Sequence, residues 1–197
     1  MLKATFSTMP QRRFRPSQLD YVEDLEKYRP GGLHPVAIGD TFAHGRYQVL
    51  HKLGFGGTST VWLARDRQSS RYPSGELVTL KVMSAEQSAR PNDVLELAIP
   101  RKLFENLRAN GASARPNVQV IEDSFMQEGP NGSHLCQVSQ LAGPSVLSML
   151  DCPGRVKGSR RLRADLARKV ANQVTVVVQL MHSAGYVHGG SSNVRSI

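Results

Sequence analysis

Two features of this sequence could do chemistry. The first is the run Leu53-Gly54-Phe55-Gly56-Gly57-Thr58-Ser59-Thr60-Val61, which reads G-x-G-x-x-S-x-V, with Ser59 where a third glycine often stands. Glycines let a backbone approach an anion closely, so its N–H groups meet phosphate oxygens without interference from a Cβ. A glycine-rich hairpin turn is the plain alternative. The stretches on either side read as strands, which argues against a dinucleotide fingerprint or a Walker loop, since both pass from strand to helix. The second feature is Lys81 in V-T-L-K, 20 residues after Val61. Side chains alternate along a strand, so Thr79 and Lys81 share one face while Val78, Leu80 and Val82 turn to the core. A lysine set in so apolar a strand calls for an anionic partner. Glu96 downstream is one candidate, and a phosphate group is the other.

The elements that must position these groups are legible from texture. The 197 residues are 40% hydrophobic and 21% charged, an ordinary globular composition with room for a core. No apolar run is long enough to span a bilayer, and the basic N-terminus lacks the apolar stretch of a secretory signal, so the reading is of a soluble protein. Two cysteines, Cys136 and Cys152, without metal-ligand spacing exclude a disulfide framework and suggest a reducing compartment. The net charge of +9 is concentrated late, with eight basic against two acidic residues in 151–197. Without interleaved aromatics this tract reads as the solvated entry to a helix, and direct nucleic-acid binding is not expected.

Residues 1–23 read as a flexible basic extension, and Tyr28 to Gly45 as an irregular lead-in rich in Gly, Pro and His. Strand-like alternation begins at Tyr47, breaks at the glycines, resumes over Thr60–Ala64, and returns in Leu77–Val82 after a Pro-Ser-Gly turn. Asp93 is a candidate N-cap for a helix through Leu95, Ile99 and Leu103 to Leu107. Strands are then expected over Val118–Asp123 and His134–Ser139, separated by the polar turn E-G-P-N-G-S. A final helix is expected over Leu162–Ser183, with Leu166, Val170, Val174, Val177, Val178 and Met181 forming an apolar stripe. The order β-β-β-α-β-β-α gives an α+β fold, a five-stranded antiparallel sheet with one helix followed by the start of a helical region.

Taken together these residues resemble the small lobe of a eukaryotic protein kinase, and more narrowly the SR-protein kinase type of the CMGC serine/threonine kinases, as found in fungi. The narrower resemblance rests on Y-R-P-G-G-L-H-P-V over Tyr28–Val36, Gly39-Asp40 before Arg46-Tyr47, L-G-F-G-G-T-S-T-V-W-L-A-R-D over Leu53–Asp66, and M-H-S-A-G-Y-V-H-G over Met181–Gly189. It implies a small lobe and hinge over residues 24–142 and the start of a large lobe over 143–197. It implies ATP, with Leu53 to Val61 forming the loop over the triphosphate, and Val61 and Thr79 covering adenine. Lys81 would hold the α- and β-phosphates, oriented by an ion pair to Glu96. Gln140, Leu141 and Ala142 would form the hinge that reads adenine, and Ser139 would gate the pocket behind it. Thr79 stands where such kinases usually have alanine. The resemblance also implies Mg2+, substrates rich in Arg and Ser, and a cytoplasmic or nuclear location.

The departures concern catalysis. A kinase catalytic loop needs an aspartate two residues after its histidine, and here His188-Gly189 is followed by Gly190. The position of the magnesium-binding asparagine is Arg195, and no D-F-G follows, so the resemblance implies a catalytically incomplete chain. Pro100, four residues after Glu96, removes a hydrogen bond from the helix that should carry the ion pair. The expectations are therefore an ATP-binding serine/threonine kinase-like chain or, as alternatives, a pseudokinase-like nucleotide-binding or scaffolding regulator or a truncated product. The tail S-S-N-V-R-S-I fits an altered splice junction or early stop, which would leave the apolar stripe of the last helix uncovered.

Overall fold

The computed structural model describes residues 14, 22–70, 72–89, 105, 118–146 and 162–187. A short 3-10 turn, Leu25–Lys27, precedes strands β1 (Thr41–Phe42), β2 (Tyr47–Phe55), β3 (Ser59–Asp66) and β4 (Glu76–Met83). A one-turn helix α1 (Ala85–Ser88) follows directly, then β5 (Ile121–Gly129), β6 (Gly132–Gln140) and, later, a long helix we number α2 (Ala164–Ser183). The strands form one antiparallel sheet in the order β1-β2-β3-β4-β6-β5.

Among the described residues the sheet has six strands where the sequence suggests five. The addition is β1, hidden in what reads as an irregular lead-in. It is two residues long, too short to show alternation, and it is turned back onto β2 by Ala43, His44 and Gly45, all at positive φ. Strands β5 and β6 also reach further than their apolar segments indicate, reducing the expected polar turn to Pro130-Asn131. Two glycines make this possible. Gly132 has φ +127, and a Cβ on Gly129 would stand 2.3 Å from the His34 ring, so only glycine admits that histidine against β5. The expected helix beginning at Asp93 lies outside the described residues apart from Glu105, which is helical.

Alternation decides which face is core. Trp62 and Ala64 of β3, Val78, Leu80 and Val82 of β4, and Cys136 and Val138 of β6 pack together with Phe42, Tyr47 and Val49. Burial pushes the Cys136 thiol up to about 12, so it behaves as a small apolar residue. The corner of the sheet is clamped by Arg46. Its guanidinium donates to both carboxylate oxygens of Asp66, at 3.0 and 2.9 Å, and to Asp123 at 3.0 Å. Asp123 also accepts from the Tyr47 hydroxyl at 2.7 Å, and the Tyr47 ring stacks on Phe125 at 5.6 Å. Helix α2 opens at Arg163 and closes on Gly185 at φ +79, whose N–H donates to the His182 carbonyl while Tyr186 donates to Met181. None of its side chains is buried, and Val174 of its apolar stripe and Val176 beyond the stripe are exposed. Among the described residues no helix is long and apolar enough to cross a membrane.

Candidate functional site

The glycine run is the tip of the β2–β3 hairpin. Gly54 and Phe55 close β2, Gly56 to Thr58 form the bend, and Ser59 opens β3. The bend is narrow: Gly56 N–H donates to the Ser59 carbonyl at 2.7 Å, and the Thr58 carbonyl accepts from Ser84 N–H at 2.8 Å. Neither backbone strain nor crowding by the protein requires these glycines. Gly54, Gly56 and Gly57 are absent from the positive-φ positions, and a Cβ on Gly54 or Gly57 would meet nothing within 4 Å among the described residues. What their missing side chains leave is open space beside the backbone, the arrangement that close approach of an anion needs.

Two bulges in β2, at Leu50 and Leu53, precede the bend. A bulge re-aims the side chains that follow it, and Leu53 is left 43% exposed at the rim of the hairpin. Thr58 is exposed, whereas Ser59 is buried. Thr60 turns inward, its Oγ1 accepting from Trp62 Nε1 at 3.0 Å, which leaves only its backbone on the loop.

Lys81 lies where the alternation puts it. In the sheet register Gly54 pairs with Val61, Val61 with Lys81, and Lys81 with Gln137. These four residues form one row across four strands, on the face opposite the Trp62–Leu80–Val138 core. The adjoining row is Leu63, Thr79 and Ser139. Val61 and Thr79 are buried on this face and Lys81 is half-buried. Ser139 is also buried, and its hydroxyl accepts from Gln119 Nε2 at 2.8 Å. The expected hinge leaves the sheet at the end of β6, with Gln140 donating to Glu122 at 2.9 Å and Leu141 and Ala142 exposed. Glu96, Pro100, Gly190 and Arg195 lie outside the described residues.

Residues that sequence reasoning missed lie in this row and around it. Gln137 is 1% exposed, and among the described residues neither end of its side-chain amide has a hydrogen-bond partner. Its signal was available, because a glutamine in the apolar run Leu135-Cys136-Gln137-Val138 is as unexpected as Lys81 itself. On the outside of the hairpin, Lys27 Nζ donates to the Gly57 carbonyl at 3.0 Å. Glu23, at the end of the segment read as a flexible extension, is buried and accepts from Lys52 Nζ and the Tyr28 hydroxyl. Burial pushes the Glu23 carboxyl up, but those two hydrogen bonds, a backbone hydrogen bond and the Lys52 charge together hold the group below its ordinary value. The same contact, with burial as the larger cause, drives the Tyr28 hydroxyl well above its usual range. Among the described residues no three His, Cys, Asp or Glu side chains are grouped to hold a metal ion.

This geometry can receive a polyanion. Open glycine backbone and a lysine ammonium stand on the same face of one rigid sheet, and the core behind them fixes the register.

The chain is similar in sequence to known proteins. The chain is 34% identical over 167 residues to protein kinase dsk1 of Schizosaccharomyces pombe, a match covering 84% of this chain and 29% of that protein. It is 33% identical over 168 residues to SRSF protein kinase 3 of Homo sapiens, covering 84% of this chain and 26% of the relative. With the serine/threonine-protein kinase SKY1 of Saccharomyces cerevisiae it shares 27% identity over 169 residues, 84% of this chain and 21% of the relative. The chain thus spans less than a third of the length of each of these relatives. No protein-family model matches it.

Proposed function

We propose that the chain, similar to SR-protein kinases of the serine/threonine class, carries their small lobe and binds ATP between its glycine loop and Lys81. The observation that carries this reading is the row Gly54–Val61–Lys81 on the face away from the core. In it the loop backbone of Gly54 to Ser59 covers the phosphates from above. Lys81 contributes the compact positive charge that meets the α- and β-phosphates, with Glu96 as its orienting partner. Val61 and Thr79 line the adenine side, Leu53 covers its rim, and the backbone of Gln140 to Ala142 reads its edge. ATP supplies the triphosphate whose terminal group such kinases transfer. Mg2+ accompanies it by family relationship, and the described residues offer no ligand set for it.

Gly190 favours nucleotide binding without efficient phosphoryl transfer, because no carboxylate stands there to orient a substrate hydroxyl. Arg/Ser-rich proteins are the substrate class, or the bound partner class, that the relationship offers. Isothermal titration of the chain with ATP, with and without Mg2+, tests the reading beside incorporation of labelled phosphate into an Arg/Ser repeat peptide. Saturable binding that is lost in Lys81→Met, with no incorporation above that variant's background, is the expected result. Absence of binding refutes the nucleotide site, and robust incorporation refutes the role given to Gly190.

A further inference from the structure

We infer that the segment 23–33 positions the glycine loop, with Lys27 as the residue that fixes the loop's central peptide; this rests on the reading of that loop as a nucleotide-phosphate cradle. The segment is attached on both sides of the candidate site. Toward the loop, Lys27 Nζ donates to the Gly57 carbonyl at 3.0 Å. Two residues before Gly54, Lys52 donates to buried Glu23, and its ammonium lies 5.3 Å from the Trp62 ring centre. Beyond Lys81, the carbonyls of Gly32 and Gly31 accept from Ala85 and Glu86, the first residues of α1, at 3.0 and 2.7 Å. The β5–β6 turn holds the segment down, with Gly31 N–H donating to the Asn131 carbonyl at 2.8 Å and Asn131 Nδ2 donating to the Leu33 carbonyl at 2.6 Å.

Peptide geometry turns the Lys27 contact into a statement about the site. A trans peptide is planar, so the carbonyl of Gly57 and the N–H of Thr58 point in opposite directions. While Lys27 holds the carbonyl outward, the Thr58 N–H is directed to the other side of the hairpin tip. At a glycine this peptide can rotate at little steric cost, and a Cβ at Gly57 would meet nothing within 4 Å. Lys27 therefore supplies an orientation that the loop sequence does not. A residue in the lead-in, distant in sequence from the loop, thereby sets whether one of its amide donors faces a phosphate.

The test compares the full chain with Lys27→Met and Lys27→Arg, reading amide hydrogen exchange over residues 56–59 without nucleotide, ATP affinity and the melting temperature. Losing one charge-assisted hydrogen bond should speed loop exchange and weaken ATP binding by about three- to ten-fold in Lys27→Met. Lys27→Arg should retain both values, and the melting temperature without ATP should stay within about a degree, because the contact is at the surface. Unchanged loop exchange in Lys27→Met overturns the proposal. So does accelerated exchange with unaltered ATP affinity, or rescue that fails in Lys27→Arg. A wild-type chain that binds no ATP overturns the nucleotide reading itself and the positioning role with it, an outcome distinct from failure of Lys27 alone.

Discussion

Replacing Gln137 with methionine should make the protein more stable. The Gln137 side chain is 1% exposed, and among the described residues neither its oxygen nor its nitrogen has a hydrogen-bond partner. A buried polar group left unsatisfied costs about 1–3 kcal/mol. Gln137→Met keeps the length and unbranched shape while removing both polar ends, so it recovers that cost without opening a cavity. For a chain of 197 residues a gain of about 2 kcal/mol raises the melting temperature by roughly 4–8 °C. Calorimetry and urea titration should agree, with the midpoint moving and the slope unchanged. Gln137→Lys is the opposing control, since it buries a second ammonium directly across from Lys81 and should destabilise the fold at neutral pH. A lower melting temperature in Gln137→Met would refute the reasoning, because it would show that the amide is hydrogen-bonded in the folded protein.

Other outcomes follow from the same contacts. Asp66→Ala removes two charge-assisted bonds from Arg46 and should cost about 2–3 kcal/mol by urea titration. The Arg46 guanidinium holds the Asp66 carboxyl below its ordinary value, so in the wild type this contribution is complete above about pH 4 and fades as acid protonates the group. Burial, and then the neighbouring His134, depress His34, with Asp40 opposing them. A histidine whose folded value is lowered gives up stability as pH falls below about 6.5, where the unfolded chain takes the proton first. The loss between pH 7 and 5, read from urea midpoints, should therefore shrink in His34→Asn. Gly54→Ala should leave stability within about 1 kcal/mol, since its Cβ would meet no atom within 4 Å, yet weaken ATP binding by steric exclusion of the phosphates.

The order and type of the main strands were legible because each carries its own period. The assignment of Thr79 and Lys81 to one face and Val78, Leu80 and Val82 to the other followed from alternation alone, and the sheet register agrees. β1 was not legible, since two residues carry no period and their pairing is imposed by the left-handed turn at Ala43 to Gly45. The length of β5 and β6 was hidden because polar residues there pair as well as apolar ones. The loop and Lys81 could be found by type and spacing, as local motifs can. Lys27, Glu23 and Lys52 could not, because their meeting is a product of tertiary folding between a charged lead-in and a hairpin tip. Gln137 was visible as an oddity, but its lack of partners depends on everything packed around it.

The central claim, that Lys81 and the glycine loop form a nucleotide site, is met most directly by a thermal melt of the chain with and without ATP. A ligand at a hundred times its dissociation constant stabilises the fold by about 2.7 kcal/mol, which is about 5–10 °C for a chain of 197 residues. The wild type should show that shift, and Lys81→Met should lose it. A cooperative melt that saturating ATP leaves unmoved would contradict it.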